Sequence, residues 1–327
     1  MNRKKRSTVF GAALTILGSI LLIVAILAQR EDGPEELRWL RWPRGGFSKP
    51  AGGFPTGQAT VPAGPVSVDK ISFTDEDAKR VSLRYGDGCN YRPDVKTLLQ
   101  KELLWDLSGG EPTVLIVHTH GSESYSKQTG QNYTETTAYR TLNTDYNMVA
   151  LGEKLAQLLE DAGITVLHDR SLHDYPSYND AYANSRRAVQ DYLDRYPTIQ
   201  VVLDLHRDAA LNADGSQYAP TVTADGKTIA QLMLVVGTNA SGMYHPEWET
   251  NLAAAVKLQA LLERQLPGLT RPTILRAQRY NHDLSPGAMI VEIGTAGNTL
   301  QQAMGAVPYL AEALIQLCHG TTADSTN

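Results

Sequence analysis

Three short apolar runs, each closing on imidazole or carboxylate, constrain this chain more than any other feature. Val114-Leu115-Ile116-Val117 leads straight into His118-Thr119-His120-Gly121-Ser122-Glu123. Ile199 to Leu205 ends at His206-Arg207-Asp208, and Ala288-Met289-Ile290-Val291 carries Glu292 just before Ile293-Gly294. Runs this short and this rich in β-branched residues read as buried strands. Between them the apolar positions recur at threes and fours, at Met148, Leu151, Leu155, Leu158, Leu159 and Ala162, until Gly163 stops the helix. Further helices are expected over 178–196, 247–266 and 299–317, and a hairpin around Ala224-Asp225-Gly226-Lys227. Strands alternating with helices imply an α/β fold: a mainly parallel sheet with helices on both faces.

If the three strands are parallel neighbours, their polar ends gather on one sheet edge, where open α/β folds build their sites. His118, His120 and Glu123 come from the first, Asp204, His206, Arg207 and Asp208 from the second, and Glu292 from the third. Neutral imidazole and carboxylate are what zinc binds, and a catalytic zinc needs about three protein ligands with an acid/base carboxylate close by. Taken singly, each piece has an ordinary reading. His-x-His is common polar decoration, and His206 alone reads equally as a core histidine. Alternation along the strand puts His118 and His120 on one side. Glu292 sits between Val291 and Ile293, where a carboxylate is costly to bury unless paired or coordinated. A salt bridge to Arg207 or Arg276 is the alternative. A serine nucleophile at Ser122 lacks the second glycine of the Gly-x-Ser-x-Gly turn, and no Gly-x-Gly-x-x-Gly follows a strand. His173, His245, His282 and His319 read as loop or surface residues, with His282 placed to line the cleft.

The chain has 327 residues, 30 basic and 35 acidic. Five of the basic residues, and no acid, lie in residues 1–30, which leaves 25 against 35, or −10, for the rest. That balance argues against nucleic acid as a partner. Residues 7–29 carry no charge and follow the cluster Arg3 to Arg6. The length suits a single membrane-spanning helix with the start in the cytosol and the body outside, and exceeds a usual signal-peptide core. Residues 31–68 are rich in Pro and Gly and read as a linker spanning roughly 34 Å. Residues 69–110 read as a small N-terminal extension, 111–320 as the catalytic domain and 321–327 as a disordered tail. Cys89 and Cys318 are expected as separate thiols, although an exported domain could join them.

Four stretches together carry a family likeness: Ile116 to Tyr125, His168 to Tyr178, Leu203 to Ala209, and Leu284 to Gly294. In these the chain resembles the stage II sporulation protein P family of membrane-anchored peptidoglycan hydrolases, which is similar in turn to zinc N-acetylmuramoyl-L-alanine amidases. The resemblance covers roughly residues 70–318 and the anchor. It implies an amidase-like, phosphorylase/hydrolase-type sheet. It further implies Zn²⁺ held by His120 and His206, with Glu292 as the catalytic carboxylate. The amidases' third ligand, a glutamate before the first long helix, aligns with Asn143 here; Glu123 or His118 would take its place, Glu123 first. Arg207 is expected to bind a stem-peptide carboxylate or to pair with Asp204 or Asp208. The implied activity is cleavage of the amide between N-acetylmuramic acid and L-alanine, with endopeptidase activity on cross-links. It would act with stage II sporulation proteins D and M at the septal wall during engulfment, on the outer side of the cell membrane. A zinc peptidase acting on proteins, a non-catalytic wall-binding scaffold and a membrane-stem sensor are the rival readings.

Overall fold

The computed structural model describes residues 71–321, apart from 106, 108 and 109. The anchor expected over 1–30, the linker over 31–68 and the tail beyond Thr321 lie outside the described residues. Within them no helix is long and apolar enough to cross a membrane.

Two short helices, α1 (Asp75–Arg80) and α2 (Val95–Gln100), flank a three-residue strand, β1 (Leu83–Tyr85). The first central strand is β2 (Val114–Val117), followed by helix α3 (Met148–Asp161) and strand β3 (Val166–His168). A 3-10 turn at Tyr178–Asp180 opens α4 (Ala181–Arg195), which leads into β4 (Val201–Asp208). The hairpin β5 (Thr221–Ala224) and β6 (Lys227–Ala230) forms its own two-stranded sheet. Its turn residues Asp225 and Gly226 both have positive φ, 50° and 74°, as a two-residue hairpin of this hand requires. Then follow β7 (Leu232–Gly237), α5 (Trp248–Gln265), β8 (Thr273–Arg276), β9 (Gly287–Thr295) and α6 (Leu300–Thr321).

The seven-stranded sheet has the order β1-β8-β7-β9-β4-β2-β3. Every neighbouring pair is parallel except β7 and β9. The expected mixed α/β architecture with a mainly parallel sheet is therefore present, but it is two parallel blocks that meet head to tail. The three chemistry-bearing strands, β9, β4 and β2, stand side by side in one block, so their C-terminal ends share an edge. Residues 83–85, within the expected N-terminal extension, form the edge strand of this same sheet. Leu98, Leu99 and Trp105 belong to its main core.

Strand alternation divides the sheet faces. Ile116, Leu203, Leu205, Val291 and Ile293 pack with α3, α5 and α6 in the large core. Leu115, Val117, Val202 and Ala288 face the other way, against Val189 of α4. Asp204, His206 and Glu292 continue this second face upward, beyond the reach of its apolar cover. Cys89 is a buried free thiol, and burial pushes the Cys318 thiol in α6 up to about 12.

Candidate active site

β4 and β9 pair with His206 opposite Glu292, and β2 and β4 with Val117 opposite Asp204. Adjacent strands are about 4.8 Å apart, so His206 and Glu292 are near neighbours on one face. Just beyond this pair the register slips, because two residues of β9 oppose Arg207 alone. Gly294 occupies the slip at φ +70°, and a Cβ there would lie 2.7 Å from Asn298 Oδ1 and 2.9 Å from Ala230 Cβ. The glycine that ends the β9 motif is thus required by a bulge beside the site, after which pairing resumes at Asp208 and Thr295.

His118 and His120 do not share a side. The chain turns at Thr119, and Glu123 N–H closes the turn on His120 O at 3.0 Å. Strand alternation therefore stops one residue before it could align the two rings. His118 stays on the main-core face, fully buried, with Nε2 2.8 Å from His168 Nε2 and Nδ1 3.3 Å from Leu205 O. His120 swings to the opposite face, where its ring centroid is 5.2 Å from that of His206. The turn also brings in Glu123, whose Oε2 is 3.6 Å from His206 Nδ1. His120, Glu123, His206 and Glu292 thus line one polar pit, and His118 does not.

Arg207 is turned inward. Its Nε donates to Ser124 O and its NH2 to Tyr139 O, both at 3.0 Å, and NH1 is 3.5 Å from Glu123 Oε1. The guanidinium clamps the loop that carries Glu123 instead of facing a ligand, and its acidic partner is Glu123, not Asp204 or Asp208. Asp208 pairs instead with Arg271 at 2.6 Å. Glu292 forms no ion pair with Arg207 or Arg276, and its Oε2 is buried without a partner. Asn143 is exposed, and its side-chain oxygen accepts the Asp145 amide. His173 and His245, read as loop or surface residues, lie in loops, and His282 in a 3-10 turn, and all three are buried.

Several site residues had no counterpart in the sequence reading. Arg140 spans two buried carboxylates, with NH2 3.1 Å from Glu123 Oε1 and NH1 2.6 Å from Asp174 Oδ2. Tyr178 stacks on His120 with centroids 4.6 Å apart and planes at 12°, and its ring also carries the Arg140 guanidinium. Tyr178 belongs to the His168–Tyr178 stretch that carried family likeness without assigned chemistry; that mismatch was the available signal. Asp204, read as one of a strand-end cluster and as a partner of Arg207, lies instead with Oδ1 2.9 Å from His206 Nε2.

The electrostatics follow from burial and these neighbours. Burial pushes the Glu292 carboxyl up to about 8; Asp208 and Glu123 add to the rise, and His206 opposes it. Glu123 is buried too, but Arg207, His206 and His120 hold it at about 2. Burial depresses the His120 imidazole to about 4, with His206 adding to the drop. His206 also pays desolvation, yet Asp204 and Glu123 raise it well above the ordinary histidine range. One carboxyl that exchanges a proton near neutrality therefore stands beside a carboxylate that stays charged.

The donor chemistry suits a divalent metal of the zinc type. His120 Nδ1 is buried with no hydrogen-bond partner. The 3.6 Å between His206 Nδ1 and Glu123 Oε2 is too long for a hydrogen bond. Two ligands each about 2 Å from one tetrahedral ion stand about 3.3 Å apart. Among the described residues, no three His, Cys, Asp or Glu side chains are already gathered into a metal-holding cage. Closing the set requires side-chain rotation within the pit.

Comparison with known proteins places the chain in a family. The model of the family described as stage II sporulation protein P matches residues 67–315, and the chain belongs to that family. It is 27% identical to the stage II sporulation protein P of Bacillus subtilis (strain 168) over 229 residues, which are 67% of this chain and 54% of that protein. The chain thus spans about half the length of that curated relative. Among solved structures, the N-acetylmuramoyl-L-alanine amidase AmiC2 of Nostoc punctiforme matches at 13% identity with a TM-score of 0.38, over 65% of this chain and 96% of that one. The N-acetylmuramoyl-L-alanine amidase from Clostridium difficile 630 matches at 14% identity with a TM-score of 0.37, over 64% of this chain and 95% of that one.

Proposed function

We propose that this chain is a membrane-tethered, zinc-dependent peptidoglycan hydrolase that cuts the amide between N-acetylmuramic acid and L-alanine, with a second activity on peptide cross-links. It would act outside the cell membrane at the sporulation septum, together with stage II sporulation proteins D and M. Family membership supports the setting. The observation that carries the chemistry is the pairing of His206 with Glu292 across β4 and β9, in a pit that Glu123 and His120 also enter.

His120, His206 and Glu123 would hold the zinc ion, which, when bound, polarises a scissile carbonyl and lowers the pKa of a bound water toward neutrality. Glu292 is the proton carrier. Its Oε2 is unpartnered and shielded, so nothing in the protein competes for the proton it takes from water and returns to the leaving amine. Arg207 and Arg140 fix Glu123 from behind and keep it ionised. Thr119 and Asp204 stabilise the start of the turn that delivers His120.

Digestion of purified wall tests the reading, with products identified by mass. Amidase cleavage releases peptides with a free L-alanine amine and leaves glycan strands bare. Glu292→Gln keeps the shape of the side chain and removes the base, so hydrolysis should fall at least about 10²-fold. Undiminished hydrolysis by that variant would refute Glu292 as the acid/base group, and products cut only between amino acids would identify a peptidase.

A further inference from the structure

The imidazole of His206 has a carboxylate at each ring nitrogen: Asp204 Oδ1 is 2.9 Å from Nε2, and Glu123 Oε2 is 3.6 Å from Nδ1. One metal ion takes one nitrogen of an imidazole, so one of these carboxylates lies on the metal side and the other on the hydrogen-bond side. The distances separate them. Asp204 stands at hydrogen-bond length from Nε2, whereas 3.6 Å is wider than a hydrogen bond and near the spacing of two ligands of one tetrahedral ion.

Asp204 is also built to stay where it is. Its Oδ1 accepts the Thr119 amide at 2.7 Å and its Oδ2 the Thr119 hydroxyl at 2.6 Å. Thr119 Oγ1 is a further 2.8 Å from Ser185 Oγ, which accepts Asn281 Nδ2 at 3.0 Å. A hydroxyl has one proton; with Thr119 donating to Asp204, Ser185 donates to Thr119, and the chain from Asn281 to Asp204 runs in one direction. A carboxylate oxygen has a second lone pair, so Oδ1 keeps one for His206. His206 Nε2 has no aligned hydrogen-bond partner, although Asp204 is within reach. Rotation of the ring is needed to align it.

We propose that Asp204, pinned by Thr119, is the positioning residue that holds the His206 Nε2–H and thereby presents Nδ1 to a metal ion shared with Glu123. This rests on the zinc reading above and adds to it a defined tautomer and a defined metal side. Thr119 gains a role that the strand-end pattern did not suggest: the residue between the two histidines anchors the carboxylate that orients a third.

The test is zinc affinity of the full-length chain, measured by competition with a chromophoric chelator, together with the imidazole ¹⁵N spectrum of His206. Asp204→Asn can keep an oxygen on Thr119 but turns an amide NH₂ toward Nε2, which favours the tautomer with the proton on Nδ1. Zinc affinity should fall about 10–100-fold, as for other orienting carboxylates behind metal-bound histidines. The spectrum of the zinc-loaded wild type should show the proton on Nε2. If Asp204→Asn does not fold, Thr119→Val removes only the hydroxyl anchor and should cost about 3–10-fold in zinc affinity, a fraction of the loss typical of such groups. Unchanged affinity in whichever variant folds would overturn the proposal. So would one fewer oxygen in the zinc-edge absorption spectrum of the zinc-loaded Asp204→Asn variant, because Asp204 would then be a ligand itself. A wild-type chain that binds no zinc would sink the zinc reading first, and this inference with it.

Discussion

His118 and His168 meet nitrogen to nitrogen at 2.8 Å, directly against Gly152 of α3. A Cβ at Gly152 would lie 2.4 Å from His168 Nε2 and 2.6 Å from His118 Nε2. His118 is fully buried and held on its other side by Leu205 O, so it has nowhere to retreat. Gly152→Ala should destabilise the protein by about 1–3 kcal/mol, even though alanine is the better helix former by about 1 kcal/mol. Urea denaturation measures this; a stabilised variant would show that the helix can shift off the histidine pair.

Arg140 is expected to be a costly charge to remove near the pit. Its side chain is 18% exposed, while the side chains of its partners Glu123 and Asp174 are 6% and 0% exposed. Breaking a buried pair typically costs about 3–5 kcal/mol, and water near Arg140 lowers that figure. Arg140→Met should therefore cost about 2–4 kcal/mol in chemical denaturation. Asp174→Asn in the same background should recover part of it, since it removes the stranded charge.

Asp169 sets part of the acid limb of stability. Burial would raise it, but His173 at 2.9 Å and the Ser171 amide at 3.0 Å hold its carboxyl at about 2, below the usual 3.8. The folded state thus binds this proton less readily than the unfolded state. Its contribution of about 2 kcal/mol is complete above about pH 4 and is lost as pH falls from about 4 to about 2. The penalty of Asp169→Asn, measured by denaturation at several pH values, should be full near pH 6 and shrink toward pH 2. A penalty that does not change with pH would show that the aspartate is not titrating against folding.

Tyr178 covers His120 while remaining half exposed. A stacked pair of this kind is worth about 0.5–1.5 kcal/mol. Tyr178→Ala should slow wall hydrolysis by up to about 10-fold, through a less ordered His120, and shift the thermal midpoint by only a few degrees. Tyr178→Phe should restore the rate, since the stack uses the ring and not the hydroxyl.

Chelation should separate fold from function. The core of this domain is built from apolar side chains of the sheet and of α2, α3, α5 and α6. Removal of zinc should abolish hydrolysis and leave far-ultraviolet circular dichroism unchanged, and added Zn²⁺ should restore the rate. Hydrolysis that persists after exhaustive chelation would refute the metal reading.

The sequence by itself determined the strands and helices that carry the chemistry. β-branched runs and threefold-fourfold spacing are local properties, and they located β2, β4, β9, α3 and α5 to within a few residues. Composition likewise exposed Glu292, because a carboxylate within an apolar strand is costly unless it has a task. Only the tertiary structure decided which polar side chains share the pit. The turn at Thr119 separates His118 from His120, and alternation along a strand cannot foresee where a strand stops. The partners of Arg207, and the roles of Arg140, Tyr178 and Asp204, rest on contacts between segments remote in sequence. The reversed block of β1, β8 and β7 was equally hidden, since strand direction is settled by which edges pair and not by any pattern within a strand. Periodicity reports what a residue faces; it takes packing across the sheet to say whom it meets.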